Sequence, residues 1–445
     1  MSQAQALPAD SPHRTELDVT YRRIAYRLVP FLVVLFILAW IDRVNVGFAK
    51  LQMLQDLQFS EAVYGLGAGI FFIGYFLFEV PSNLLLEKIG ARKTLARITI
   101  LWGLTSMAMI YVNTPTSFYV MRFLLGIFEA GFFPGVVLYL TYWFPSAHRA
   151  RINGLFMTSF AIAGVVGGPI AGFIMSRMEG VGHLANWQWL FLLEGIPSVL
   201  AGFAVLAWLP ETPRQAKWLS TAEQDAVIRA VEVENRDPAK HASFGAALAN
   251  ARVWICALIY FCVVSGNATI AFWTPSIIKE LGIQGNFKIG LISAIPFIAG
   301  TIAMVWNGAH SDRTGERRMH CAIAALIASA GLVATGATLG SPVLALVALT
   351  VAAVGILAAF PVFWSIPGAF LAGTAAAGGI ALINSIGNLA GFAGPYAMGV
   401  LKDWTGTYTV GLLTLSAAGL MAMVIVLLLP HDTALERVQP DTAQG

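Results

Sequence analysis

Charged residues are scarce in this chain of 445 residues, and their scarcity excludes an ordinary soluble globule. Asp, Glu, Lys and Arg make up 11% of the sequence, whereas soluble domains average about 25%. Apolar residues make up 57%, and the mean hydropathy is +0.72. A net charge of +3 is too small to indicate a nucleic-acid partner. The composition predicts a protein whose solvent is the lipid bilayer.

Cysteine and nucleotide-binding motifs are also missing or rare. Cys256, Cys262 and Cys321 have no metal-ligand spacing and fall in or beside apolar segments, where they serve as small apolar residues. The sequence has no glycine-rich GxxxxGK[ST] loop, which argues against an ATP-driven pump. The few histidines and cysteines form no catalytic constellation. We therefore predict no enzyme activity, no metal and no cofactor. Residues 1–27 lack the apolar core of a signal peptide.

Long apolar segments are what the sequence has in abundance. Segments of roughly 20 residues recur along the chain, the length that crosses a hydrocarbon core of about 30 Å. They predict an all-α integral membrane protein with twelve spans, beginning near Leu28, Val63, Thr94, Ser117, Ile152, Trp187, Val253, Lys288, His320, Val343, Gly378 and Tyr408. The predicted divisions are a tail (1–27), a six-helix bundle (28–209), a linker (210–252), a second six-helix bundle (253–430) and a tail (431–445).

The positions of the basic residues predict how the chain is oriented. Most of the 27 Lys and Arg residues fall on the side of the termini, in the tails, the linker and alternate loops. The positive-inside rule then places both termini in the cytoplasm. Together with the absence of a signal peptide, this predicts a multi-pass protein of a bacterial-type inner membrane.

Two internal sequence repeats indicate that the chain arose by duplication of one half. Charged loops at residues 83–93 and 308–318 share one order of acids, bases and glycine, and Gly168-Pro169 echoes Gly394-Pro395 at nearly the same spacing. Two related membrane halves are typical of secondary transporters. The polar linker between the halves predicts a surface helix over residues 221–235.

Four charges lie inside predicted spans, where each costs roughly 2.5–3.5 kcal/mol on insertion scales. Asp42 and Arg43 lie in span one, and Arg122 and Glu129 lie in span four. Residues seven apart return to nearly the same helix face, so Arg122 and Glu129 look into one space. One interpretation is a pair of ion pairs that lock helices together. The sharper hypothesis is a charge-balanced site, in which an entering organic anion is neutralised by a proton on Asp42 or Glu129.

Other polar residues within the spans are weaker candidates. Tyr75 and Glu79 form an i, i+4 pair in span two, and Glu79 is expected to hydrogen-bond near the inner end of that span. Glu194 precedes Pro197 in span six and could meet backbone groups that the proline frees. The second half has no mid-span acid or base. Its candidates are polar or aromatic side chains, either packing residues or ligand contacts: Asn267, Trp364, Ser365, Asn384 and Asn388.

Glycine-rich faces and charged loops are candidates for moving parts. Residues 164–172 in span five and the glycines of span eleven allow close helix contact, either static or changing during transport. The charged loops are either cytoplasmic anchors or a gate whose acid–base network closes one state and breaks in the other. The gating residues predicted in the two loops are Glu87, Arg92 and Lys93, and Asp312, Arg313 and Arg317.

At these residues the chain resembles the major facilitator superfamily over residues 20–430. The loop at 308–318 retains Gly308, Asp312, Arg313, Gly315 and Arg317 of the family signature, whereas the loop at 83–93 has Asn83 and Glu87 where glycine and Asp are usual. Several segments are similar to the anion:cation symporter family, and their sequences are nearest to its tartrate-type branch. These are residues 42–45, Tyr75, the pair Arg122 and Glu129, and residues 132–135, 138–145 and 383–391.

The resemblance implies a fold and a function. It implies two pseudo-symmetric six-helix bundles that import a small organic carboxylate with protons by alternating access, with no cofactor beyond the proton gradient. By position, Asp42 and Glu129 would exchange protons, while Arg43 and Arg122 would serve the substrate carboxylate. Tyr75, Trp364 and Asn384, with Asn388, would shape the pocket. The expected partners are a small organic anion, protons and lipid, and the expected state is a monomer.

Two rival functions fit the same architecture. A proton-coupled exporter would use the glycine-proline surface of span five, but its lipophilic cargo would not need two buried arginines. A non-transporting sensor of organic acids would keep the pocket and would not need Asp42 and Glu129 as proton sites. Whether an organic anion accumulates inside or is depleted separates import from export.

Overall fold

The computed structural model describes residues 12–235, 249–370 and 374–429, and the regular structure of this part is helical. Eleven of its helical segments are long and apolar enough to cross a membrane. The glycine- and alanine-rich helix Thr374–Thr405 stands in the place of the predicted span eleven. The first half contains the helices Pro12–Val44, Val46–Leu57, Glu61–Ile89, Ala91–Ala108, Pro115–Glu129, Phe132–Thr141, Ser146–Arg177 and Asn186–Trp208. The second half contains Ala251–Glu280, Asn286–Thr314, Arg318–Ala337, Pro342–Phe370, Thr374–Thr405 and Thr409–Leu428.

These helices form two six-helix bundles, because spans one and four are each made of two consecutive helices. In span one the helix breaks at Asn45, and in span four it breaks at Ala130 and Gly131. Gly131 has a φ of +83°, a left-handed conformation that favours glycine. Any side chain there would also collide with Ser82 of span two. The break in span four lies just beyond Glu129, and the break in span one lies just beyond Arg43.

The outer surface of the bundles is covered by apolar side chains. Val343, Ile302 and Leu200 have 72%, 65% and 63% of their surface exposed. Exposed apolar area on this scale is unfavourable in water and is what a lipid environment requires. The first helix begins at Pro12, inside the predicted polar tail, because Tyr21 and Ile24 pack into the core of the first bundle. Residues 1–11 and 430–445 lie outside the described part of the chain.

The linker between the bundles contains the predicted surface helix, Thr221–Asn235. Its first turn is closed by Glu223, which accepts a hydrogen bond from the Ser220 backbone N–H at 2.8 Å. This backbone hydrogen bond and the nearby Arg23 guanidinium, 2.9 Å away, lower the pKa of Glu223. The same ion pair fastens the linker helix to span one. We call the end of the molecule that carries the linker the linker end and the opposite end the far end.

At the far end, a carboxylate of the second bundle caps a helix of the first. Asp403 in span eleven accepts hydrogen bonds from the backbone N–H groups of Glu61 at 3.0 Å and of Ala62 at 2.7 Å. These are orphan donors at the start of span two, where the helix dipole also favours a negative charge. The cap therefore holds spans two and eleven together across the bundle interface.

A buried lysine makes a second far-end link. The ammonium of Lys50 in span one lies 2.5 Å from Glu61 and 3.7 Å from the ring centroid of Trp273 in span seven. Nearby, Tyr64 donates to the Phe272 carbonyl at 2.8 Å, and Lys279 donates to the Leu51 carbonyl at 2.5 Å. Cation–π contacts and hydrogen bonds to charged groups are strong when water is excluded. Together they close the far end of the space between the bundles.

The predicted glycine faces lie at this closed interface. A Cβ atom at Gly168 in span five would lie 2.8 Å from the Gly290 carbonyl of span eight, and one at Gly172 would lie 2.5 Å from the Asn286 carbonyl. Along spans two and eleven, a Cβ at Gly65 would lie 2.5 Å from the Pro395 carbonyl. Only glycine permits such close backbone approach, so these faces set the distance between the bundles.

We expect Gly126→Ala to destabilise the first bundle, because its Cβ would overlap the Phe71 carbonyl of span two. Overpacking of this kind costs about 1–3 kcal/mol. Gly154→Ala is the matched control, since a Cβ there meets nothing within 4 Å. The midpoint of heat-induced unfolding in detergent measures both. Equal midpoints for Gly126→Ala and the parent would contradict the close packing of spans two and four.

We expect Asp403→Ala to loosen the far end, because it removes the cap that joins the two bundles. Spin labels at Tyr111→Cys and Trp404→Cys, whose side chains are exposed, would report a longer mean distance between spans three and eleven. Asp56→Ala is the control, because Asp56 accepts from Trp187 within the first bundle at 3.0 Å. Unchanged distances in Asp403→Ala would show that the cap does not hold the far end closed.

Candidate functional site

Arg43 lies at the bundle interface in a box of aromatic rings. Its guanidinium carbon is 5.4 Å from the ring centroid of Trp40, 5.2 Å from that of Phe71 and 5.4 Å from that of Tyr75. Its side chain retains 17% exposure in the middle of an apolar span. Aromatic faces stabilise a cation without neutralising it. Arg43 therefore keeps its attraction for an anion.

Glu129 is the counter-ion of Arg43. One of its carboxylate oxygens accepts from Arg43 Nε at 3.0 Å and also from Nη2, while its other oxygen is buried without a hydrogen bond. Glu129 is fully buried. An ion pair of this kind is held by mutual attraction in a low dielectric, and removing either charge leaves the other uncompensated.

Arg122 lies near this pair, and its guanidinium donates hydrogen bonds to backbone carbonyls. It donates to the Gly67 carbonyl at 3.2 Å, the Ala68 carbonyl at 3.4 Å and the Arg43 carbonyl at 3.2 Å. It is fully buried, in contrast to Arg43. Its hydrogen-bond partners are thus backbone carbonyls and not Glu129, so the expected common space of Arg122 and Glu129 remains a prediction. To hold a substrate directly, Arg122 would have to leave these carbonyls, so Arg43 is the arginine that is open to a ligand here.

Asp42 does not share this site, contrary to the hypothesis of a single four-charge centre. Neighbouring residues on a helix point about 100° apart, and Asp42 points into the first bundle. It accepts hydrogen bonds from Trp102 at 3.2 Å, Ser106 at 2.7 Å and Ser198 at 2.5 Å. Spans three and six thus enclose it completely. The charges in the sequence divide into a group around Arg43 and a separate acid behind it.

The predicted pocket residue Asn384 of span eleven meets Glu79 of span two. Asn384 donates to Glu79 at 3.4 Å, a long hydrogen bond between the bundles. Tyr75, one turn before Glu79, is buried beside Arg43. The other Glu79 carboxylate oxygen has no hydrogen bond. Glu79 therefore belongs to the central site, although its position near the end of span two suggested only a local hydrogen bond.

The remaining pocket candidates come from spans ten and eleven. Trp364 packs against Tyr260 of span seven, with ring centroids 4.8 Å apart. Asn388, one turn from Asn384, is partly buried. Tyr260 also fills the space above Gly387. Tyr260 is not recognisable from the sequence alone, because a tyrosine among many aromatic residues has no distinguishing pattern.

Between the bundles there is also a cleft with an apolar lining. It has a volume of about 340 Å³, and its wall includes Trp40, the ring that covers Arg43. The rest of the wall comes mainly from spans one, five, seven and eight, with Thr274 and Ser293 as polar groups. The cleft borders the charged site through Trp40 and does not contain the Arg43 side chain.

The first predicted gating loop is tied to the linker. Glu211 accepts from the backbone N–H of Arg92 at 3.0 Å and also from that of Ala91, which caps the start of span three. Gly90, with a φ of +95°, makes the turn before it. The Lys93 side chain is exposed. Glu87 belongs to the helix of span two, but its side chain lies outside the described residues.

The second predicted gating loop is closed on itself. Arg317 lies 2.5 Å from Asp312 and donates to Ser311 at 3.0 Å. Arg313 is exposed. The bonds of Asp312 and Arg317 thus remain within their own bundle, whereas the far end carries a network that joins the bundles. Whether these residues gate the linker end remains a prediction, because it concerns a state closed at that end.

Comparison with known proteins gives the family. The chain matches the Major Facilitator Superfamily over residues 32–395. A protein of Agrobacterium vitis named a tartrate transporter is 49% identical over 415 residues, covering 93% of this chain and 91% of that protein. A quinolone resistance transporter of Acinetobacter baumannii is 44% identical, covering 92% of this chain and 94% of that protein. The crystal structure of a D-xylose–proton symporter superposes with a TM-score of 0.72 at 15% identity, covering 93% and 99% of the two chains.

These findings confirm the predicted fold and class. The family match covers most of the chain, and the superposition with the symporter extends over both bundles. A low identity with a high TM-score establishes a shared fold and no more. The relatives of higher identity are named as transporters, so the prediction of a transporter and not an enzyme is confirmed. The chain belongs to the major facilitator superfamily of secondary membrane transporters.

Proposed function

We propose that this transporter imports a small organic carboxylate together with protons. The observation that carries the proposal is Arg43, a partly exposed guanidinium at the bundle interface whose ion-pair partner, Glu129, is itself a proton acceptor. A substrate carboxylate and Glu129 compete for the same cation. When Glu129 is protonated it no longer holds Arg43 by charge, and the substrate carboxylate takes its place.

Charge balance links the two ions in this proposal. Each ionised carboxylate of a substrate brings one negative charge into a region where an unbalanced charge is costly. A proton on Glu129 removes one negative charge and balances one substrate carboxylate, so a dicarboxylate needs a second proton. Each ion binds better in the presence of the other, which is the thermodynamic requirement for coupling. Asp42 is the second proton-exchange residue that we propose.

The substrate class that fits best is a hydroxydicarboxylate or sugar acid. One carboxylate pairs with Arg43, and Tyr75, Asn384 and Asn388 provide neutral groups for hydroxyls or a second carboxyl group. Trp364 covers an apolar edge of the ligand. The name of the Agrobacterium vitis relative supports tartrate as the first compound to test.

Alternating access provides the transport path. The far-end links of Asp403 and Lys50 hold this state closed on one side, and the basic residues favour a cytoplasmic linker end. We infer that the state closed at the far end releases substrate toward the cytoplasm. The opposite state would break the Asp403 cap and close the linker end through the loops of Arg92 and Asp312. The transporter works as a monomer in this proposal.

Drug export is the second candidate, supported by the relative named for quinolone resistance. The same carrier could run as an antiporter, with protons and cargo moving in opposite directions. An exporter would deplete a loaded compound from vesicles when protons enter, whereas an importer would accumulate it. Arg43 favours import of an anion over export of a lipophilic cargo.

The proposal is tested by recording the pH outside proteoliposomes while organic acids are added. We expect alkalinisation with tartrate or a related acid, because protons enter with the anion. Protein-free liposomes correct for passive diffusion of the undissociated acid. Acidification when a quinolone is added outside the vesicles, with no response to the acids, would favour the exporter instead, because an antiporter releases protons as the drug enters.

We expect Glu129→Gln to uncouple transport from protons. The amide keeps the size of a protonated glutamate but cannot release a proton, so proton-driven accumulation of the acid should be lost. Exchange of labelled for unlabelled substrate should persist, because it needs no net proton movement. Glu179→Gln, an exposed acid at the far end, is the control. Normal proton dependence in Glu129→Gln would contradict the coupling role.

We expect Arg43→Gln to weaken substrate binding on the order of 10- to 100-fold, because a charge-assisted hydrogen bond contributes about 1.5–3 kcal/mol. Binding of the acid identified by the pH assay is measured by calorimetry in detergent. Arg177→Gln removes an arginine that lies over Phe173 at the far end and serves as the control. Unchanged affinity in Arg43→Gln would exclude Arg43 as the anion-binding group.

A further inference from the structure

A second pair of acids lies inside the first bundle, behind the central site. Glu194 in span six faces Asp42 of span one, and we call these two residues the inner carboxyl pair. Ser198, which donates to Asp42 at 2.5 Å, is one helical turn from Glu194 on the same face. The pair is enclosed between spans one, three and six and is separate from the Arg43 side chain, which points to the bundle interface.

The two acids have opposite surroundings. Asp42 accepts three hydrogen bonds, from Trp102, Ser106 and Ser198. Glu194 is only 5% exposed, and both of its carboxylate oxygens are buried without a hydrogen bond. The Asn45 amide lies beside Glu194 but does not complete a hydrogen bond with it in this geometry. Asp42 therefore has three donors that stabilise its negative charge, whereas neither Glu194 oxygen has a completed hydrogen bond.

Among the described residues, the charged groups around Glu194 do not supply a counter-ion. Span one contributes Asp42, which is the charged side chain that faces Glu194, and span three contributes Trp102 and Ser106, which do not titrate. The Arg43 guanidinium is occupied by Glu129. Two adjacent carboxylates cannot both be ionised in a buried site without a cation, since desolvation and mutual repulsion both oppose it.

We propose that Glu194 carries a proton next to ionised Asp42, and that the inner carboxyl pair takes up and releases this proton during transport. This proposal rests on the proposed proton symport and adds Glu194 as a residue of the coupling site. A proton on either member leaves the pair with a single negative charge, so the proton passes between the Glu194 and Asp42 carboxyls without a change in the total charge.

The break in span one connects this pair to the substrate site. Asp42 and Arg43 are neighbours at the end of one helix, and the break follows at Asn45. Asn45 is only 1% exposed, and both of its amide atoms lack a hydrogen bond. A change of direction at Asn45 would move the acid and the arginine together. Loss of the proton from Glu194 would repel Asp42, which shifts this turn and with it the guanidinium that holds the substrate.

Glu194→Gln tests the proposal, because glutamine resembles the protonated acid. Infrared spectroscopy of the purified full-length protein detects the carbonyl stretch of a protonated carboxyl group apart from that of carboxylates. We expect the parent to show such a band at neutral pH and Glu194→Gln to lack it, with the Glu179→Gln control unchanged. In proteoliposomes, Glu194→Gln should keep substrate exchange but change the pH profile of uptake. Glu194→Asp should restore part of the proton dependence and separates the acid function from packing.

The possible outcomes separate a failure of this proposal from a failure of the proposed proton symport. A band that persists in Glu194→Gln, or a normal pH profile of uptake in that variant, overturns the role of Glu194. Uptake driven by sodium and not by protons, with the band removed by sodium, would make the pair a cation site and also overturn it. If the infrared band of the protonated carboxyl depends on Glu194 but no organic acid substrate drives proton entry, Glu194 carries the proton as proposed and the proposed symport is wrong.

Discussion

The ion pair between Arg43 and Glu129 is the interaction on which the central site depends. Inside an apolar span each of these charges would be strongly destabilising alone. Arg43 and Glu129 stabilise each other only while both side chains are ionised. The aromatic rings around Arg43 cover most of the guanidinium and strengthen the attraction. Arg122 stabilises the same region by donating a hydrogen bond to the Arg43 backbone carbonyl. A site built in this way responds to any event that changes one charge, such as a proton or an entering anion.

The bundle interface supplies the second constraint. Close contact of spans five and eight at Gly168 and Gly290 brings backbones together without side chains between them, and Asp403 adds a charged cap. Both contacts lie at the far end. The loops near Arg92 and Asp312 bond within their own bundle or to the linker. In the described state the two bundles are therefore joined at the far end. A carrier that exposes its site to one compartment at a time requires such closure at one end.

Much of the fold followed from periodicity and length. Apolar segments of bilayer length specify spans, because lipid leaves the backbone no partner except its own helix, and the linker helix Thr221–Asn235 agrees with its prediction. The helix breaks at Asn45 and Gly131 were not predicted, because glycine is common inside continuous membrane helices and a single asparagine there has no distinguishing pattern. Glu79 accepts a hydrogen bond near the inner end of span two, as expected, but its partner Asn384 lies in the other bundle and could not be identified from the sequence.

The sequence alone determined which residues carry charge within the membrane, and the resemblance carried by those residues indicated the family. It could not determine which charges meet. Asp42 and Arg43 are adjacent in the chain, yet the helix turns one toward Ser106 and Ser198 and the other toward Glu129. Glu194 acquired its significance only from the packing of span six against span one. The energy of a buried charge depends on the few ångströms around it, and those neighbours come from distant parts of the chain that only the tertiary structure brings together.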